Sequence, residues 1–459
     1  MTSYKCSLDF SQLLRPTWTL LFVIVGFSTS GLAQSKNSPV LSSILEKASA
    51  GPAQQVLKDP DTYRLQIIYT QIDRNKKGEP RFTHHTFLVD PDKYFNPASM
   101  VKMPLAFLAL EKLHQLNNPI KSERAIPALN RDTRIMFDSS YSRQVAMSKD
   151  ASAPGEIPTI GHLVKRAFLI SENDPYNRFY QFMGQGPTNQ ILQTKGYSSV
   201  RITRQFMGFT DEQNRHTNAV RFYNSNGQEI YSQEPGYNRD SFLFPAPILI
   251  GNAHINRQEQ LVQGPFDFTR HNSISLEDMQ KMLQAVVFPN SLPKQNRFDI
   301  SEQDRLFLLQ YLSQYPSETN YPKYDTSVFY DSYVKFFFQD STHSMPKNIR
   351  VFNKVGWAYG FLTDVSYVLD TLNNIDYMLS ATVYVNSDGV VNDSKYDEET
   401  VGFPFLKHIG NAFYEYELKR KRNYHPILKN QVPKYEERDQ NDTRPSIKNA
   451  PLLDKSLAL

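Results

Sequence analysis

Phe95-Asn96-Pro97-Ala98-Ser99-Met100-Val101-Lys102 opens an apolar run that continues to about Leu116, and its reading decides the fold. A proline holds the residue before it extended, and its own φ suits a helix start. Pro97 therefore closes an extended segment and puts Ser99 in the first turn of a helix over 99–116. One turn separates Ser99 from Lys102, so the hydroxyl and the amine share a face. The partial positive charge at the helix N-terminus favours an oxyanion there and holds the lysine pKa down. An ordinary helix-start serine with a surface lysine would show the same spacing. The S-x-x-K pattern also recurs at Ser291, Ser332 and Ser344. Pro293 and Pro346 interrupt two of those, and Ser332 lies in an aromatic stretch, 321–338, that reads as packing.

Outward from this helix, 41–57 reads as a helical entry, and 63–73 and 81–89 as a hairpin around Asn75-Lys76-Lys77-Gly78. A helical pattern over 160–183 is interrupted by Ser171-Glu172-Asn173-Asp174-Pro175. Residues 227–268 are rich in Gly, Asn, Pro and Gln, with short β-like pieces. Ser275 and Ser301 begin capping-box-like starts for helices over 276–287 and 302–312. Three closing strands (350–356, 363–370, 377–385) and a last helix over 400–419 follow. Periodicity supports an α+β fold and no more.

Two further segments complete a set with Ser99 and Lys102. They are Ser171-Glu172-Asn173 and Lys354-Val355-Gly356, in that order. The combination S-x-x-K, S-D-N, K-T-G marks class A β-lactamases and penicillin-binding proteins. Over about 63–416 the chain resembles that superfamily of serine hydrolases, with one substitution in each of the last two motifs. The resemblance implies a β-lactamase/transpeptidase-like fold: an antiparallel sheet flanked by terminal helices, plus an all-helical subdomain, with the site between two lobes.

The resemblance also implies roles. Ser99 would be the nucleophile, Lys102 its base, and Ser171 the proton relay to the leaving group. Asn173 would hold the substrate amide, Lys354 a substrate carboxylate, and Gly356 and Trp357 would border the substrate. The backbone N–H groups of Ser99 and Trp357 would form the oxyanion hole. Glu172 stands where Asp is usual, at a position that points away from substrate. Val355 replaces a threonine hydroxyl and cannot donate, a loss of about 1.5–3 kcal/mol when the partner is charged. That bears on β-lactam affinity more than on acylation. The Glu and Asn that activate the deacylating water in class A enzymes have no clean counterpart. Arg201-Ile202-Thr203-Arg204 resembles the lead-in, and Glu212, with Asp211 and Asn218 nearby, is the candidate base; a solvated loop carboxylate is the plainer reading. Implied substrates are β-lactams or cell-wall peptide-like amides and esters, with antibiotic resistance as the biological correlate. A penicillin-binding-type peptidase or esterase, or a non-catalytic cell-wall-binding protein on the same scaffold, are the alternatives.

Composition bounds the rest. Residues 1–33 read as a signal peptide, with Lys5 and Arg15 ahead of an apolar core and Gly31 and Ala33 before the cut. The run 18–33, about 16 residues, is short for a membrane span, and an uncleaved anchor is the other reading. The expected location is the periplasm or outside the cell. The one cysteine, Cys6, lies inside that segment, so the mature chain has no disulfide or thiolate chemistry. A balance of 51 basic and 47 acidic side chains, net +4, gives no case for nucleic acid binding. No cofactor is implied, and His84-His85 without a third ligand makes no metal site. Residues 34–420 form the expected catalytic domain, with an insertion at about 227–338, and 421–459 a polar tail passing into disorder.

Overall fold

Alternating apolar residues and a tight turn build the first hairpin. Strands β1 (Gln66–Arg74) and β2 (Pro80–Phe87) pair antiparallel. The turn needs Gly78 at φ +80°, a conformation glycine adopts without steric cost. Three long strands, β3 (Ile349–Ala358), β4 (Phe361–Asp370) and β5 (Ile375–Tyr384), complete one antiparallel sheet in the order β3-β4-β5-β1-β2. Every residue of β4 and β5 is buried, so both faces of the sheet are covered.

The helices that position the site are α1 (Pro39–Lys47), α2 (Lys102–Asn117), α3 (Ile160–Leu169), α4 (Asn173–Met183), α5 (Leu276–Val287), α6 (Glu302–Ser313) and α7 (Phe403–Lys419). On one sheet face, Leu41, Ile44 and Leu45 of α1 and Phe405, Ile409 and Phe413 of α7 pack with Tyr69, Leu379 and Val383. The other face carries α5, whose Gln280 donates to Thr70 Oγ1 and accepts from Ser380 Oγ, both at 2.8 Å. Behind it, α2, α3 and α4 share a core that includes Leu105, Phe107, Leu163, Phe168, Tyr176 and Phe179. This is the α+β arrangement that the motifs imply.

This computed structural model describes residues 37–118, 126, 129–339, 341–426 and 428–450; the signal segment 1–33 lies outside them. The described residues belong to one compact unit. Among them, no helix is long and apolar enough to cross a membrane. The single helix read over 41–57 is two, because Gly51 (φ +58°) and Pro52 break it before a second helix, Pro52–Lys58. The serine caps hold: Ser275 Oγ accepts from Asp278 N–H and Ser301 Oγ from Asp304 N–H.

Two boundaries move. Within the segment 227–338, read as an insertion, helices α5 and α6 bury Met279, Leu283, Leu308 and Leu312 in the main core. The polar tail is also held rather than loose across 428–450. Glu436 accepts from Lys165 Nζ at 2.7 Å, and Arg438 donates to the carbonyls of Pro316, Thr319 and Tyr324. Lys323 Nζ donates to the carbonyls of Asp442 and Arg444. Hydrogen bonds to backbone carbonyls dock this segment together with a few apolar anchors, Leu428 in the main core and Val432 and Ile447 packed against it, a sparse pattern that composition alone read as disordered.

Candidate active site

Ala98–Val101 forms a 3-10 turn that runs directly into α2, so Ser99 sits at the helix entrance and Lys102 one turn on. Ala98 takes φ +44° and Ser171 φ +68°, a left-handed region that costs a non-glycine residue about 1–3 kcal/mol. Asn96 Oδ1 accepts from Ala98 N–H at 2.8 Å and holds the first of these in place. Strain next to the reacting hydroxyl is where pre-organised sites concentrate it.

Lys102 is fully buried, and its Nζ is the hub. It donates to Ser99 Oγ at 2.7 Å, Ser171 O at 2.5 Å, Ser171 Oγ at 3.2 Å and Asn173 Oδ1 at 2.8 Å. From the opposite wall, Lys354 Nζ reaches Ser171 Oγ at 2.7 Å and Val355 O at 2.9 Å. Ser99, Lys102, Ser171, Asn173 and Lys354, some 250 residues apart at the extremes, thus share one hydrogen-bonded cluster. Burial pushes the Lys102 pKa far down, and the charge of Lys354 adds to this against a smaller opposing pull from Glu172. Burial and the neighbouring Lys335 bring Lys354 to about 7, with Asp364 opposing. A lysine depressed in this way can take a proton from a hydroxyl near neutral pH.

Strand β3 approaches the turn that carries Ser99 closely because residue 356 has no side chain. A Cβ there would stand 2.4 Å from the Pro97 carbonyl oxygen and 2.8 Å from Met100 Cγ. Trp357 follows on the cavity side, its Nε1 donating to Glu398 at 2.9 Å. Two lysines, two serines and an amide in one hydrogen-bonded cluster, beside a glycine strand, could serve acyl transfer through a serine hydroxyl.

A sequence model of the β-lactamase enzyme family matches residues 64–414. The chain belongs to the β-lactamase enzyme family. No curated protein matches it. Solved structures similar to it include the β-lactamase of Sphaerobacter thermophilus, at 13% identity over 83% of this chain and 99% of that one, with a TM-score of 0.41. The Xanthomonas campestris β-lactamase gives 10% identity, 81% and 98% coverage and a TM-score of 0.44. The structure titled PBP-A gives 12% identity, 82% and 97% coverage and 0.41.

Against that family pattern, Glu172 is a structural residue. Arg166 Nε and Nη2 both donate to its Oε2, at 3.1 and 2.7 Å, and Tyr324 OH donates to Oε1. Arg166 also pairs with Asp150 at 2.9 Å and Asp174 at 3.3 Å. This buried network fixes the 171–173 turn from behind, and a longer Glu reaches the arginine.

The structure does not bring Glu212 into the cluster. It lies exposed on the short helix Asp211–Arg215, 3.5 Å from His216, and Asp211 pairs with Arg270 at the surface. Asn218 is buried but donates to the carbonyls of Asp138 and Val145. What faces Lys102 from this segment is the ring of Phe206, its centroid 5.3 Å from Nζ, stacked on Tyr176 at 4.1 Å. Elsewhere, His84 and His85 contact Thr70 and Ser38. Among the described residues, no group of three or more His, Cys, Asp or Glu could hold a metal ion.

Sequence reasoning missed the overhang. Tyr333, Val334 and Phe336, from the aromatic stretch 321–338, line one small cavity at Ser99 together with Ile170, Ser171, Val355 and Trp357. The cavity they leave is about 30 Å³, against roughly 300–1,000 Å³ for ordinary ligand pockets. The signal was present in the S-x-x-K at Ser332, which reads as packing and proves to be the wall of the site. Its lysine does not serve Ser332: Lys335 Nζ donates to Leu312 O, Val351 O and Asn353 Oδ1.

Proposed function

We propose that Ser99 is the nucleophile of an acyl-enzyme that forms readily and is released slowly. On this reading the protein acts as a penicillin-binding-type peptidase or esterase rather than as a fast β-lactamase. Lys102 takes the Ser99 proton as Oγ attacks a substrate carbonyl, and the N–H groups of Ser99 and Trp357 receive the oxyanion. When the intermediate collapses, Ser171, bonded to both lysines, passes a proton to the departing amine or alcohol. The acyl group stays as an ester on Ser99 until water or another acceptor removes it.

The observation that carries this is Phe206. General-base activation of water needs a carboxylate or similar group within hydrogen-bond reach, and the segment expected to supply one turns a ring toward Lys102. The carboxylate that does bear on Lys102, Glu172, has both oxygens engaged by Arg166 and Tyr324. The expected setting is the periplasm, with a β-lactam or cell-wall peptide-like substrate.

The small size of the cavity, about 30 Å³, favours a second reading, a cell-wall-binding protein without turnover. A fluorophosphonate probe separates them. Labelling of the native protein that disappears in Ser99→Ala supports the enzyme, and no labelling at all supports the binder.

A further inference from the structure

The K-x-G strand and the overhang form one continuous apolar surface beside the nucleophile. The cavity is lined by Ser99, Ser171, Ile170, Tyr333, Val334, Phe336, Val355 and Trp357, none of them charged at neutral pH. Val355 offers methyl groups where a hydroxyl would meet a carboxylate. Lys354, the cation next to this surface, is buried and already donates to Ser171 Oγ and Val355 O. With its pKa brought to about 7 by burial and by Lys335, it is only partly charged at neutral pH.

The surface is built into the fold. Asn353 Nδ2 donates to Val334 O at 2.8 Å, and Phe336 N–H donates to Asp364 Oδ2 at 3.0 Å. Lys335 between them is tied at three points to α6 and β3. Phe336 and Trp357 both pack edge-on against Phe403, at 5.0 and 5.1 Å. Three consecutive residues of the overhang are therefore bolted to the sheet that carries Lys354, so a substrate at Ser99 must lie against them. Tyr333 and Trp357, half-buried, make the rim that meets solvent.

Resting on the Ser99 acyl-enzyme reading, we propose that this wall is the leaving-group subsite. It selects substrates whose leaving portion is neutral and apolar, and it disfavours those with a carboxylate beside the scissile bond. A carboxylate placed there would lose water without gaining a full set of charged hydrogen bonds, which costs more than burying a neutral ester.

Benzylpenicillin and its methyl ester differ at that carboxylate and nowhere else. Either one acylates by forming the Ser99 Oγ–carbonyl bond as the ring C–N bond breaks. The freed nitrogen takes up the proton that Ser99 gave, so the adduct adds the full mass of the reagent. Second-order acylation rates by intact mass, with fluorophosphonate labelling of Ser99 as the control, test the proposal. The methyl ester is expected to react at least about tenfold faster than the acid, and Val355→Thr is expected to raise the acid's rate about tenfold or more. An acid as fast as the ester overturns the proposal. So does failure of both penicillins on protein whose Ser99 the fluorophosphonate labels. Absence of fluorophosphonate labelling overturns the acyl-enzyme reading underneath it.

Discussion

The two sides of Lys102 are built to opposite specifications. Toward Ser99, Ser171 and Asn173, its amine meets four oxygen atoms at hydrogen-bond distance. Toward the 201–215 segment it meets the face of Phe206. The first side holds what forming an ester requires: a hydroxyl, a depressed lysine and a relay. The second side presents a ring to Lys102 and no carboxylate that could serve as the base for breaking the ester with water. On the proposed reading, acylation and deacylation are separable properties of this scaffold, and the side chains gathered at Lys102 suit the first.

The sharpest way to break this comparison is at the hub. Lys102→Ala should lower the acylation rate about 10²–10⁴-fold, the range for removing a positioned general base, as read by fluorophosphonate labelling kinetics. A change of less than tenfold would mean that another group deprotonates Ser99. Next comes the support behind the relay. Arg166→Ala leaves Glu172 and Asp150 buried without their shared cation and should destabilise the fold by about 3–5 kcal/mol in urea titration. A cost under about 1 kcal/mol would show that the network is not what fixes the 171–173 turn.

Phe206→Glu supplies the missing carboxylate. It should shorten the acyl-enzyme lifetime at least about tenfold, whereas Glu212→Gln should change that lifetime less than about twofold. The reverse ranking would restore Glu212 as the base. The last effect is a shift in pH. The charge of Lys354 helps depress Lys102, so Lys354→Met should move the rising limb of the acylation profile to higher pH. The same group affects stability. With a pKa of about 7 in the fold against the ordinary lysine value of 10.5, it binds more proton in the unfolded chain between those values. Its contribution to stability therefore grows as pH rises through that window, and the methionine variant should flatten that rise in thermal melts.

Much of this site is legible in the amino-acid order because its requirements are local. Pro97 and a helical turn place Ser99 against Lys102, and a glycine at 356 admits the strand beside Pro97. The serine caps at 275 and 301 announce α5 and α6 for the same reason. The rest depends on contacts that no spacing encodes. Glu212 has the right residue type in a promising loop, yet the loop turns it to solvent and turns Phe206 inward. The aromatic run near 330 reads as core packing, and it is packing, but part of it lines the cavity at Ser99. The tail reads as loose because few apolar residues anchor it, Leu428, Val432 and Ile447 among them, and the rest of its attachment is made by arginine and lysine side chains to backbone carbonyls, a pattern that composition does not distinguish from solvated charge.

The central claim is that the ester on Ser99 outlives its formation. Intact-mass spectrometry after a pulse of the neutral penicillin ester, followed through removal of excess reagent, tests it directly. The account predicts a single adduct, absent in Ser99→Ala, that persists for minutes or longer. Rapid consumption of reagent with no adduct accumulating, or an adduct on another residue, would contradict it.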